Sequence, residues 1–178
     1  LPRYTVVGLP DNAVRESRDR IWAALKNAVL PVPRGKITIN LAPADIRKEG
    51  SSFDLPIAMG LLAAYNETVS QARLDRAGSV GELALDGKVR GVRGSLAMAL
   101  WARRQGRREI IVPMQNLREA ARIDGIKVTG VASLLQALEY LRGEPIQQPD
   151  VEDCDDNGAG YPCLSEVKGQ MQAKRALE

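Results

Sequence analysis

Residues 36–41 read K-I-T-I-N-L, and residues 54–65 read D-L-P-I-A-M-G-L-L-A-A-Y. The first stretch alternates, so Ile37, Ile39 and Leu41 share one face of a half-buried strand. The second is apolar almost all round, a pattern that a helix shows when it lies deep inside a domain. Pro56 fits in the first turn of that helix, where its missing N–H is no loss. Upstream, residues 4–8 form a short β-branched run that ends at Pro10-Asp11. An amphipathic helix follows, with Val14, Ile21, Leu25 and Ala28 on one stripe and Asp11 or Asn12 as its natural N-cap. Downstream, residues 79–85 and 88–92 flank Asp86-Gly87, a strong two-residue hairpin signal. The second half then alternates: helix 95–105, strand 109–112, helix 116–123, strand 127–131, helix 133–141. Strands separated by short helices predict an α+β (mixed α/β) domain, with a mixed sheet and helices packed on it.

A chain of 178 residues and 19.4 kDa, 44% hydrophobic and 26% charged, has room for one sizeable core and a tail. It contains no histidine, which excludes Ser-His-Asp and Cys-His catalysis; two cysteines alone cannot complete a zinc site within one chain. Aromatic residues make up 4% of the chain, so a base-stacking platform has few rings and any nucleic-acid binding is expected to rest mainly on charge. No apolar run approaches the roughly 18 residues of a membrane span, and no secretory pattern is present, so a cytoplasmic protein without a membrane partner is expected. Gly35-Lys36 is followed by Ile37 and Gly87-Lys88 by Val89. With no G-x-x-x-x-G-K-[ST], this stretch is not by itself a P-loop ATPase.

The charge is divided unevenly. Residues 1–143 hold 22 Lys/Arg and 14 Asp/Glu, residues 144–178 hold 3 and 8, so a body of +8 carries a tail of −5. The run Asp150, Glu152, Asp153, Asp155, Asp156 lies among Pro145, Pro149, Gly158, Gly160 and Pro162, so 144–163 reads as a linker, either a solvated tether or an acidic interaction tail. Cys154 and Cys163 fall within it, nine positions apart; they read as incidental free thiols in a cytosolic setting, with a disulfide open to them under oxidising conditions.

Two polar clusters are candidate sites. The loop D-I-R-K-E-G-S-S-F-D (45–54) places Arg47, Lys48, Gly50, Ser51 and Ser52 just before the buried helix. Free N–H groups, a glycine and two cations suit an anion; the other reading is an ordinary helix start capped by Ser51 and Asp54 in the S/T-x-x-D arrangement. The second cluster is Arg103, Arg104, Arg107 and Arg108, at the end of the helix that contains Trp101. These cations complement a helix C-terminus or contact phosphates. No set of residues suggests a metal site.

The runs V-V-G-L-P-D-N-A-V-R-E-S-R-D-R (6–20) and K-I-T-I-N-L-A-P-A-D-I-R-K-E-G-S-S-F-D-L-P-I-A (36–58) closely resemble the N-terminal part of the Mg-chelatase-like AAA+ ATPases of the ComM/YifB type. The likeness extends over residues 1–143. Residues 164–178, L-S-E-V-K-G-Q-M-Q-A-K-R-A-L-E, are similar to the opening of that family's AAA+ module. The resemblance implies a piece of a longer protein: a domain at 1–143, a linker at 144–163, and the first residues of a motor at 164–178. It also implies a further strand before residue 1, without which the sheet is short of one edge. Val167, Lys168, Gly169 and Gln170 would lie near the adenine of ATP, in a site left incomplete without the phosphate loop. No cofactor is expected in this stretch; ATP and Mg2+ are implied for the full-length protein, as are hexamers and branch migration of DNA in natural transformation.

The same body resembles the proteolytic domain of Lon and the C-terminal domain of RadA, which implies the ribosomal-protein-S5 domain-2-like fold. Lon-type enzymes use a Ser-Lys dyad. The resemblance puts Ser52 at the nucleophile and Leu96 at the lysine, so the base is gone. Lys88 and Arg93 belong to the hairpin region, and an arginine is too basic for the task. Phe53 and Asp54 replace small residues of Lon. No catalytic residue is therefore expected. The expected function is a non-catalytic accessory domain supporting DNA engagement or ring assembly, with Arg47, Lys48, Arg103, Arg104, Arg107 and Arg108 as candidate DNA contacts. The alternatives are an interaction or oligomerisation domain without DNA contact, and a residual serine peptidase.

Overall fold

A computed structural model describes residues 3–32, 35–43, 45, 47–65 and 69–149. The chain is α+β: β1 (Arg3–Val7), α1 (Asn12–Asn27), β2 (Lys36–Asn40), a 3-10 helix (Ser51–Phe53), α2 (Asp54–Tyr65), α3 (Gln71–Arg76), β3 (Ala77–Ser79), β4 (Glu82–Leu83), β5 (Val89–Arg90), α4 (Ser95–Arg104), β6 (Glu109–Pro113), a second 3-10 helix (Met114–Asn116), α5 (Leu117–Ala120), β7 (Lys127–Val131) and α6 (Leu134–Arg142).

The core is built on a three-stranded parallel sheet in the order β3-β6-β7. Its central strand, E-I-I-V-P, is apolar on both faces because both are covered, as parallel strands require. Ile111 joins the larger core cluster, which contains residues of α1, α2 and α6 such as Leu25, Leu55, Leu62, Leu134 and Leu138. Ile110 and Val112 join a second cluster with Ala99 and Ala102 of α4 and Ala120 of α5. The sheet is thus a middle layer between two layers of helices. Small residues on α4 let it approach closely: a Cβ on Gly78 of β3 would lie 3.5 Å from that of Ala102.

Alongside this sandwich, β1 and β2 form a two-stranded parallel ribbon in the register Tyr4↔Ile37, Val6↔Ile39. Among the described residues neither pairs with a third strand. Gly8 closes the ribbon with φ 101°, and a Cβ there would fall 2.2 Å from the Leu41 carbonyl oxygen, so only glycine fits. The hairpin at Asp86-Gly87 is present but short, pairing Glu82 with Arg90 and Leu83 with Val89. It is secured to the turn between β7 and α6 by Val89 N–H to Ala132 O, 2.9 Å, and Leu134 N–H to Gly87 O, 2.8 Å.

Two expectations are corrected and one helix is added. The residues before the hairpin split: 77–79 leave it and pair in parallel with β6, because that pairing continues the buried sheet. Helix 116–123 shortens to a 3-10 turn and the single turn of α5. Helix α3 was not read at all. The chain also stays on the body past residue 143: Ile146 packs against the larger core, and the Gln148 side chain bonds both the N–H (2.7 Å) and the C=O (3.0 Å) of Gly130 on the outer edge of β7.

Candidate nucleic-acid interface

Parallel pairing places like ends of strands side by side. Ala77, Glu109 and Lys127 are in register across β3, β6 and β7. The residues at this end of the sheet are therefore neighbours although the outer two are 50 positions apart in sequence. Arg108 N–H donates to Arg76 O at 3.3 Å, and Lys127 N–H to Arg108 O at 3.0 Å. Helix α4 ends at the same place: Arg107 N–H bonds Ala102 O at 3.0 Å as the chain turns through Gly106 into β6. Arg76, Arg103, Arg104, Arg107, Arg108 and Lys127 thus gather at one end, all exposed.

The cluster is partly held. Arg103 donates to the Asp124 carbonyl at 3.0 Å, and Arg107 to the Asp75 carbonyl. Carbonyl acceptors orient a guanidinium without neutralising it. Lys127 faces Glu109 at 3.7 Å, and that carboxylate also accepts the Tyr140 hydroxyl at 2.8 Å. The Tyr140 phenol is pushed up, first by burial and then by this carboxylate. Arg104 and Arg108 have no side-chain hydrogen bond or ion pair among the described residues. Sequence reading found the four arginines of 103–108; Arg76 and Lys127 were missed because only the strand register reveals them.

The loop 45–54 is built otherwise. Lys48, a candidate DNA contact, is 6% exposed and its ammonium donates to the Pro43 carbonyl. Its backbone is stitched to the segment before α1, with Lys48 N–H to Leu9 O at 3.1 Å and Asp11 N–H to Lys48 O at 3.0 Å. In the loop read as an anion holder, the Gly50 N–H is taken by the Asp11 carboxylate at 3.0 Å, whose other oxygen caps α1 at Val14 N–H, 2.8 Å. These donors, Val14 first, hold the Asp11 carboxyl below its usual range. Arg47 is exposed and 3.2 Å from Glu49. It belongs with the loop that leads to Ser52, whose carbonyl accepts from Gly81 N–H just beyond the far end of β3 (3.0 Å). The two clusters therefore lie at opposite ends of the sheet.

The Ser51/Asp54 capping arrangement does not form. Ser51 donates to Glu82. Asp54 is fully buried and takes a two-pronged pair from Arg20, 2.6 and 2.9 Å, plus the Leu83 N–H at 3.2 Å. Burial pushes its carboxyl up, and Arg20 and the Leu83 N–H pull against that. Ser52 is half-buried. Leu96, in the first turn of α4, is 39% exposed and has no ionisable group. Lys88 is paired with Asp86 at the hairpin tip, 3.0 Å. Glu82, which accepts from Ser51, is itself paired with Arg90 at 3.8 Å. Val167, Lys168, Gly169 and Gln170 lie outside the described residues. Among the described residues no cluster of metal-ligating side chains occurs, and no helix is long and apolar enough to cross a membrane.

This is an α+β domain with a basic sheet end and a serine loop secured by internal pairs. Residues 1–116 match the family described as subunit ChlI of Mg-chelatase, and the chain belongs to the Mg-chelatase-like family of the ComM/YifB type. It is 40% identical over 99% of its length to competence protein ComM of Haemophilus influenzae. It is 44% identical over its whole length to the uncharacterized protein YifB of Escherichia coli, and 40% identical to an uncharacterized protein of Mycobacterium tuberculosis. The chain spans 35% of the length of each of these relatives.

Proposed function

We propose that this chain is the non-catalytic N-terminal accessory domain of a cytoplasmic, ring-forming AAA+ ATPase, and that its basic sheet end engages DNA. ATP and Mg2+ would act in the motor that follows, and six copies would form the ring. The relative named as a competence protein supports a role in DNA uptake or recombination. The observation that carries the DNA reading is the convergence of Arg76, Arg103, Arg104, Arg107 and Arg108 from separate segments onto one surface. A surface of that charge draws a polyanion and releases its counterions on contact.

The test is fluorescence anisotropy with duplex, single-stranded and four-way-junction DNA at two salt concentrations. Contact with three or four duplex phosphates gives a log–log salt slope of about −3 to −4. Arg104→Glu with Arg108→Glu should abolish binding, and Arg47→Glu should leave it unchanged. Affinity untouched by the first pair removes the assignment.

A second reading, an assembly domain without DNA contact, draws on the end of α1 and the hairpin beside it. Val29 is 92% exposed with φ 56°, and it follows Asn27, whose amide bonds the carbonyl of the exposed Leu85 at 2.6 Å. Strained, exposed apolar residues suit a contact surface. Under that reading Val29→Asp alters self-association and neither charge reversal matters. A casein-cleavage assay covers the third reading; cleavage lost in Ser52→Ala would restore a peptidase.

A further inference from the structure

Helix α4 buries Ser95, Ala99 and Ala102. A helix advances 100° per residue, so Trp101 and Arg104 fall on its outward face, one turn apart. Trp101 is 63% exposed, the most exposed aromatic ring among the described residues. The other tryptophan, Trp22, is half-buried and meets Tyr4 edge-on, with ring centroids 5.2 Å apart. Packing does not account for Trp101: the core beneath α4 is made by its small residues.

Its surroundings say what it faces. Arg103 and Arg107 are fixed by the carbonyls of Asp124 and Asp75, whereas Arg104 and Arg108 are uncommitted among the described residues. An exposed indole beside unpaired guanidinium groups is the pairing that grips single-stranded nucleic acid, with the ring stacked on a base and the cations on flanking phosphates. A duplex offers only phosphates to this surface, because its base faces are already stacked. An acidic protein partner would satisfy the arginines but leave the ring without a stacking partner.

Building on the reading of this sheet end as a DNA surface, we propose that Trp101 is a base-stacking residue and that Arg104 and Arg108 hold the neighbouring phosphates of a single strand. The preferred ligand is then an unpaired stretch of DNA.

The experiment uses the full chain carrying Trp22→Phe, so that emission reports Trp101 alone, titrated with oligo-dT and with a blunt duplex of equal length. The expected result is quenching by oligo-dT and none by the duplex. Trp101→Ala should weaken oligo-dT binding about 5- to 150-fold and leave duplex affinity and the thermal midpoint unchanged, while Trp101→Phe keeps most of the affinity. If Trp101→Ala leaves oligo-dT binding intact while Arg104→Glu with Arg108→Glu removes it, the stacking inference fails and the DNA reading stands. Absence of binding to either DNA at low salt removes both. A change in sedimentation of Trp101→Ala, without one in DNA affinity, makes the ring a contact between copies and overturns the proposal.

Discussion

At the scale of the residue, the buried Arg20–Asp54 pair shows how burial turns polar residues into constraints. Asp54 is fully buried and Arg20 half-buried. Removing the cation leaves an uncompensated charge, which costs about 3–5 kcal/mol. Arg20→Met should lower stability by that amount at pH 7 in urea unfolding. The loss should shrink at pH 5, because the stranded carboxyl, already pushed up by burial, takes a proton. The double variant Arg20→Met/Asp54→Asn should regain part of the stability at pH 7; a double variant as unstable as the single one would mean that packing of the arginine stem, not charge, is what was lost. Asp11 has the opposite sign. Its carboxyl is lowered in the folded state, so its contribution is present above the ordinary carboxylate pKa and fades as pH falls through the lowered value. Asp11→Ala should cost about 1–2 kcal/mol at pH 7, a difference from the parent that narrows toward pH 3.

At the scale of the element, two neighbouring side chains hold the segment between the hairpin and α4, and Gln115 takes its first residue, accepting from Gly91 N–H at 2.9 Å. Asn116 accepts from Val92 N–H at 2.9 Å and donates to Val92 O at 2.8 Å, standing in for a strand. Beside it, Ser95 donates to Glu119 at 2.5 Å, and this hydroxyl is the main cause of that carboxyl's lowered pKa. Asn116→Ala should therefore raise amide exchange at Val92 by at least tenfold, with about 1–3 kcal/mol lost overall. Unchanged exchange would show that the segment is held by other contacts.

What was legible in the sequence follows the same division. Periodicity located α2, with Pro56 in its first turn, and β7 at 127–131, because burial of these elements is written into consecutive residues. The Asp11 cap was equally local. Helix α3, Q-A-R-L-D-R, has no buried residue and so no apolar stripe to read. The Ser51/Asp54 cap looked local and was not, since Arg20, 34 positions away, claims the carboxylate. The basic sheet end was half legible for the same reason: 103–108 is a run, whereas Arg76 and Lys127 arrive by strand register. Counting rings likewise says nothing of placement, and the 63% exposure of Trp101 on α4 is visible only in the fold.

At the scale of the whole molecule, the sequence sets a body of +8 against a tail of −5. Both core clusters close within residues 21–141, and Ile146 and Gln148 complete the edge of β7, so a chain ending at residue 149 retains every described packing contact. Residues 150–178 hold seven Asp/Glu against Lys168, Lys174 and Arg175. On the DNA reading proposed above, an acidic run covalently joined to the body would compete with DNA for the sheet end, because its concentration near that surface is set by the covalent link and not by the solution. Removing it should tighten DNA binding about 3- to 10-fold at 50 mM salt. At 200 mM, where the screening length falls to roughly 7 Å, the two chains should converge. Neutralising Asp150, Glu152, Asp153, Asp155 and Asp156 to Asn or Gln in the full chain should reproduce the gain, which assigns it to charge and not to length. Equal affinities at 50 mM would mean that the acidic run does not reach the arginines, and the net charge of the body alone would then set the strength of DNA contact.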